Sequence, residues 1–96
     1  MKIDILGHPY ELTIDPTVQL EEKSTGACCP PALWMRITPN CPKSRQEETA
    51  LHEIIEAINY ELELQLPHEK ITQISTALHQ VFKTNALLNF SKLFAD

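Results

Sequence analysis

The sequence predicts an α+β domain: a three-stranded sheet of antiparallel type, packed by a long helix and a second helix, with a short helical tail. Three observations carry this prediction. Apolar and polar residues alternate through residues 2–14 and again through 33–38, the period of a half-buried strand. Residues 44–66 and 67–85 instead repeat apolar positions every three or four residues, the period of an amphipathic helix. Ninety-six residues, 43% hydrophobic and 22% charged, suit one domain; the chain is too short for two lobes and too apolar for disorder.

The first forty residues are read as strands and loop. Ile3, Ile5, Leu12 and Ile14 share one face, and Gly7-His8-Pro9 supplies turn chemistry between them, so a hairpin is expected. Asp15-Pro16 ends its second strand, and residues 17–31, with Gly26 and Pro30-Pro31, read as a loop. Leu33, Met35 and Ile37 alternate with Trp34, Arg36 and Thr38 in a third strand that stops at Pro39-Asn40.

Ser44 followed by Glu47 has the pattern of a capping box and opens the helix over 44–66. Its stripe of Leu51, Ile54, Ile55, Ile58 and Leu62 is placed against the sheet. Pro67, a favourable first-turn residue, starts the helix over 67–85, whose apolar face is Ile71, Ile74, Leu78, Val81 and Phe82. The tail, 86–96, carries Leu87, Phe90 and Phe94 on one side. It is expected to pack back on the domain or to bury itself in a second copy, making a homodimer.

Charge narrows the partners. Eight Lys and Arg against thirteen Asp and Glu, for a net charge of −5, leave no cationic cluster for a phosphate backbone, so nucleic acid is not an expected partner. No stretch approaches the roughly 18–20 apolar residues of a membrane span, and the N-terminal residues lack a leader pattern, so no membrane partner and a cytoplasmic location are expected. Cys28, Cys29 and Cys41 are odd in number and two are adjacent, which favours reduced thiols over a disulfide framework. Two glycines, Gly7 and Gly26, cannot make a phosphate-cradling loop.

The string HEIIE at 52–56 is the informative one. It keeps the spacing of H-E-x-x-H, in which side chains at i and i+4 share a helix face and bind one Zn2+ while the intervening glutamate is the general base. At 3.6 residues per turn His52 and Glu56 lie within roughly 40° of each other, and Glu53 projects about 100° from His52. A carboxylate oxygen binds zinc at nearly the distance of an imidazole nitrogen, so Glu56 is an admissible ligand, and a harder one.

Residues 49–85, TALHEIIEAINYELELQLPHEKITQISTALHQVFKTN, resemble the motif-bearing half of small phage and prophage proteins related to zincin-like metallopeptidases of mobile elements, the ImmA/IrrE-like minimal zincins. Their commoner form reads like LHE-x-x-HA-I in the first helix and LYQVLKDN near the end of the second. The resemblance implies a minimal zincin fold whose third strand flanks the motif helix and offers an edge to an extended peptide. It implies His52 as first metal ligand, Glu53 as general base, and Glu56 in the place of the second histidine. The family takes a third, usually acidic, ligand from the following helix, where residues 71–76 hold Thr72, Gln73 and Ser75 but no carboxylate. His68 and Glu69 are the substitutes at hand, and His68 joins His52 and Glu56 as the candidate metal set. His79, where the family suggests tyrosine, is assigned to packing or surface.

The function these readings imply is metal-dependent hydrolysis of peptide bonds, with a divalent ion, zinc foremost, as cofactor and a protein or peptide as partner. A competing reading puts His52 at the rim of the core and makes Glu47, Glu48, Glu53, Glu56, Glu61 and Glu63 a solvated acidic face. The chain is then a catalytically inactive zincin-fold binder of a host or phage protein, acting through that face or an edge strand. Two further alternatives use the cysteines: a structural zinc on Cys28, Cys29 and Cys41 with His52, or a cysteine nucleophile paired with His52 or His8. Trp34 and Tyr60 are read as packing residues, with Trp34 lining a groove beside the motif helix as the alternative.

Overall fold

Leu6 and Gly7, both at positive φ (52° and 87°), turn the chain between β1 (Lys2–Ile5) and β2 (His8–Ile14). A two-residue hairpin turn of this hand needs positive φ at both central positions, and Gly7 supplies one without strain. Its N–H donates to Asp4 Oδ1 at 2.9 Å. The turn is therefore Leu6-Gly7, and His8 and Pro9 belong to the second strand. The structure, a computed structural model, describes residues 1–18 and 25–94. The expected loop and tail fall partly on 19–24 and 95–96, which lie outside the described residues.

The architecture is α+β, but among the described residues the sheet has four strands and is mixed. Its order is β1-β2-β4-β3, with β3 at Gly26–Cys29 and β4 at Trp34–Ile37. β2 and β4 run parallel, while β1/β2 and β3/β4 are antiparallel. This corrects the expected three antiparallel strands: β3 lies where a loop was expected, and the strand expected third, β4, is interior. β3 escapes a search for alternation because its four residues are small and share one intermediate degree of burial. A 3-10 turn, Pro30–Ala32, and Leu33 at positive φ return the chain into β4.

One face of the sheet carries the core. Ile5, Tyr10, Leu12, Met35 and Ile37 are buried there with Ala50 and Ala57 of α1 (Lys43–Leu62) and Leu93 of the tail. The Tyr10 hydroxyl, below this layer, donates to Glu61 Oε2 at 3.0 Å. Trp34 points to the other face, where the Arg36 guanidinium stacks 3.9 Å from its ring centre. It is neither core nor beside α1, because Met35 and Ile37 take the helix-facing positions of β4. Truncating the fully buried Ile37 to alanine is expected to cost about 2–5 kcal/mol, readable as a shift in the urea midpoint.

α1 begins at Lys43 behind Pro42, with no side-chain cap, so the capping box between Ser44 and Glu47 does not form. Glu47 is instead buried and reaches the second helix, α2 (His68–Thr84): Lys83 Nζ donates to its Oε2 at 2.9 Å, and His79 Nε2 stands 3.0 Å from its Oε1. Burial alone would raise the Glu47 carboxyl, but these two partners outweigh it and hold it below the ordinary glutamate value. His79 also packs 5.7 Å from the Phe90 ring, so its role is to join α2, α1 and the tail. Replacing Glu47 by Gln is expected to lower stability by about 1–3 kcal/mol in denaturant unfolding. An unchanged midpoint would mean that packing alone holds the end of α2.

α1 ends at Leu62, short of residue 66, because Glu63 adopts a left-handed conformation and the Leu64 N–H turns back to Asn59 O at 3.1 Å. Pro67 caps α2 and precedes its first helical residue, His68. The seam between the helices is narrower than the stripe suggested. Ile71 and Ser75 are the buried residues of α2, while Ile74 and Val81 are exposed. The tail does fold back, through a 3-10 turn at Phe90–Leu93, with Leu93 as its buried anchor and Leu87 the most exposed residue of its apolar side. No helix among the described residues is long and apolar enough to cross a membrane.

Candidate metal centre

His52 and Glu56 stand one turn apart on α1, and His68 is the first residue of α2, so the link between the helices decides whether the three meet. Asn59 settles it. Its Oδ1 accepts the Leu66 N–H at 3.0 Å and its Nδ2 donates to Leu66 O at 3.3 Å, clamping the linker onto α1 just before Pro67. His68 is thereby returned over the His52 ring, with ring centres 4.8 Å apart.

Glu56 Oε2 is 3.4 Å from His52 Nε2 and 3.4 Å from His68 Nδ1. One donor atom from each residue lies within 4.8 Å of the other two. Ligand atoms about 2.1 Å from an ion at tetrahedral angles stand roughly 3.4 Å apart, so both carboxylate–imidazole distances suit a shared ion. Two imidazole nitrogens and a carboxylate oxygen are also a zinc donor set that leaves a fourth position open. Burial holds His52 below the ordinary histidine value, against the pull of Glu56 and with the help of His68, which favours the neutral ring that ligates. His68 is exposed, so an ion has access from solvent.

Glu53, expected on the solvated face by one reading, is 6% exposed. It makes no hydrogen bond among the described residues, and it lines both clefts that contain His52 and His68. Burial, with the Glu56 charge second, pushes its carboxyl up to about 8. Its location depends on Gly26 at the head of β3. A Cβ there would stand 2.6 Å from Thr49 Cγ2 and 2.8 Å from Glu53 Oε2. Gly26→Ala is therefore expected to push β3 off α1 and destabilise the chain by about 1–3 kcal/mol, with the midpoint of thermal unfolding as the readout.

The acidic face is smaller than the sequence suggested, since Glu47 and Glu53 are both buried. Glu69 lies outside the donor cluster, as do Cys28, Cys29 and Cys41. The register separates the adjacent cysteines: Cys28 pairs with Met35, toward α1, and Cys29 with Trp34, toward the opposite face. That alternation keeps Cys28 and Cys29 from converging on one ion. Burial, with Glu53 and then Glu56 adding to it, pushes the Cys28 thiol up to about 12, which opposes a nucleophilic role. His8 sits on the far strand beside Glu61, at 3.9 Å. Tyr60 is exposed rather than packed and lines one of the two clefts.

Sequence reading missed Asn59, Gly26 and the edge position of β3. Gly26 carried a signal, being one of two glycines in the chain, whereas an asparagine inside a helix carried none. No protein-family model, curated protein or solved structure matches this chain.

Proposed function

We propose that this chain is a zincin-like protein of the phage and prophage type that binds a divalent ion, zinc foremost, through His52, Glu56 and His68 and hydrolyses peptide bonds. The observation that carries the reading is the convergence of three donor atoms within 4.8 Å beside the buried carboxyl of Glu53. The position of β3 supports it as well. Thr38 N–H donates to Thr25 O at 2.9 Å, so by alternation Cys28 falls between the residues bonded to β4. Its N–H and C=O then face away from the sheet, beside α1, where an extended peptide can pair.

An ion, if held by His52, Glu56 and His68, would supply Lewis-acid polarisation of a carbonyl. As the carboxylate, the form that the charge of a bound cation would favour over the protonated one, Glu53 takes a proton from the attacking water as the oxygen bonds to the carbonyl carbon, then delivers it to the amide nitrogen as the C–N bond breaks. The test is metal content by mass spectrometry on untagged protein purified without chelator. Near-stoichiometric metal that is lost in His52→Ala, Glu56→Ala and His68→Ala supports the site. No uptake after incubation with Zn2+, Mn2+ or Ni2+ refutes it.

A second reading moves the edge pairing from the expected third strand, which is interior as β4, to β3 and drops the chemistry: a catalytically inactive binder of a host or phage protein. The outward backbone of Cys28 favours it equally, while the acidic-face version loses Glu47 and Glu53 to the interior. Glu53→Gln separates the two, since it abolishes hydrolysis and leaves edge-strand binding intact. A homodimer through the tail would rest on Leu87 and Leu88, because Leu93 is already buried. Light scattering on Leu87→Asp tests that arrangement.

A further inference from the structure

The two clefts that meet at His52, Glu53 and His68 differ in chemistry. One, about 470 Å³, is walled by Thr25, Thr49, Thr72, Ser75 and the Arg45–Glu48 pair. Its polar groups already serve one another: Thr25 and Thr49 hydroxyls are 2.8 Å apart, Thr72 donates to His68 O at 3.1 Å, and Arg45 donates to Glu48 at 2.7 Å. The other, about 510 Å³, has Ala27, Cys28, Pro30 and Tyr60 in its wall. Tyr60 is 52% exposed, an uncovered aromatic ring beside a neutral thiol and a proline.

Position along α1 connects this apolar wall to the donor cluster. His52, Glu56 and Tyr60 are spaced by four residues and therefore form one ridge, with Tyr60 about 6 Å beyond Glu56 along the helix axis. That is close to the two-residue repeat of an extended strand, roughly 6.8 Å, after which side chains return to the same face. A peptide paired along the outer edge of β3 at Cys28, with its main chain at the donor cluster, would bring a side chain over the Tyr60 ring.

Building on the peptide reading of this site, we infer that the cleft selects an extended peptide carrying an aromatic or large aliphatic side chain on the Tyr60 side of the donor cluster and polar residues on the Arg45 side. Burial of the exposed ring against an apolar side chain supplies the preference. The polar cleft, whose hydroxyls are hydrogen-bonded to one another or to backbone carbonyls, offers an apolar side chain no comparable contact.

The test uses fluorescently labelled alanine–glutamine host peptides with one position varied among Phe, Leu, Ala and Glu. Anisotropy reads their binding to the Glu53→Gln chain, with and without zinc, and cleavage by the unaltered chain is scored separately. The Phe and Leu peptides are expected to bind at least about tenfold more tightly than the Ala and Glu peptides, with the difference lost in a Tyr60→Ala background. Tyr60 is exposed, so this truncation leaves the core untouched. Equal binding by all four peptides, no binding at all, or a preference that survives Tyr60→Ala overturns the inference. Tyr60-dependent binding without cleavage of any peptide upholds it and defeats the peptidase reading. Cleavage without side-chain preference does the reverse.

Discussion

Zinc at a hundredfold excess over its dissociation constant raises the thermal midpoint of the chain by about 10–20 °C, and His68→Ala removes the shift. The size follows from linkage: binding confined to the folded state adds about 2.7 kcal/mol at that excess, and a domain of this length gains roughly 4–8 °C per kcal/mol. The location follows from the fold. α2 buries little beyond Ile71 and Ser75 against the rest of the chain, and Glu47 holds its far end through His79 and Lys83. An ion shared by His52, Glu56 and His68 would fix the near end. Differential scanning calorimetry on protein stripped of metal and then titrated with zinc checks the expectation. A shift of equal size in His68→Ala would place the ion elsewhere.

Metal-free protein becomes less stable as pH rises toward 8, and Glu53→Gln flattens that fall. Because burial pushes the folded-state pKa of Glu53 up to about 8, the folded chain keeps a proton there that the unfolded chain gives up at the ordinary glutamate value. The contribution is complete below that ordinary value and is lost as pH rises through about 8, with a slope of at most about 1.4 kcal/mol per pH unit. His52 works in the opposite sense. Its folded-state pKa is lowered, so its contribution is present above the ordinary histidine value and is lost as pH falls. Glu47, also lowered, contributes above the ordinary glutamate value and loses that contribution as the solution is acidified. The fall due to Glu53 should therefore stand out most clearly between neutrality and pH 8. Urea unfolding at a series of pH values in the presence of a chelator measures the slope, and a flat profile in the unaltered chain would contradict the buried carboxyl.

His52, Glu53 and Glu56 were legible from spacing, because an α-helix with 3.6 residues per turn dictates which side chains share a face whatever surrounds it. The same local logic identified the hairpin, β4 and both helices. It did not extend to contacts between elements. Glu47 matched a cap three residues from Ser44, yet a buried carboxyl with two basic partners on α2 is better served than one on an exposed first turn. The stripe on α2 was periodic but mostly unburied, since periodicity states which residues face together and not how much they bury.

The sequence by itself determined an α+β chain with a histidine and two glutamates on one helix, His52 and Glu56 sharing a face, through periodicities that act within a few residues. Only the tertiary structure decided that a Gly-Ala-Cys-Cys segment is an edge strand, that His68 joins His52 and Glu56, and that Glu53 is buried between them and β3. Each of these rests on closure across the chain: the Asn59 clamp that returns α2 to α1, and the missing side chain of Gly26 that lets β3 lie against Thr49 and Glu53. Such contacts are set by which surfaces can approach, and no local repeat in the sequence encodes that distance.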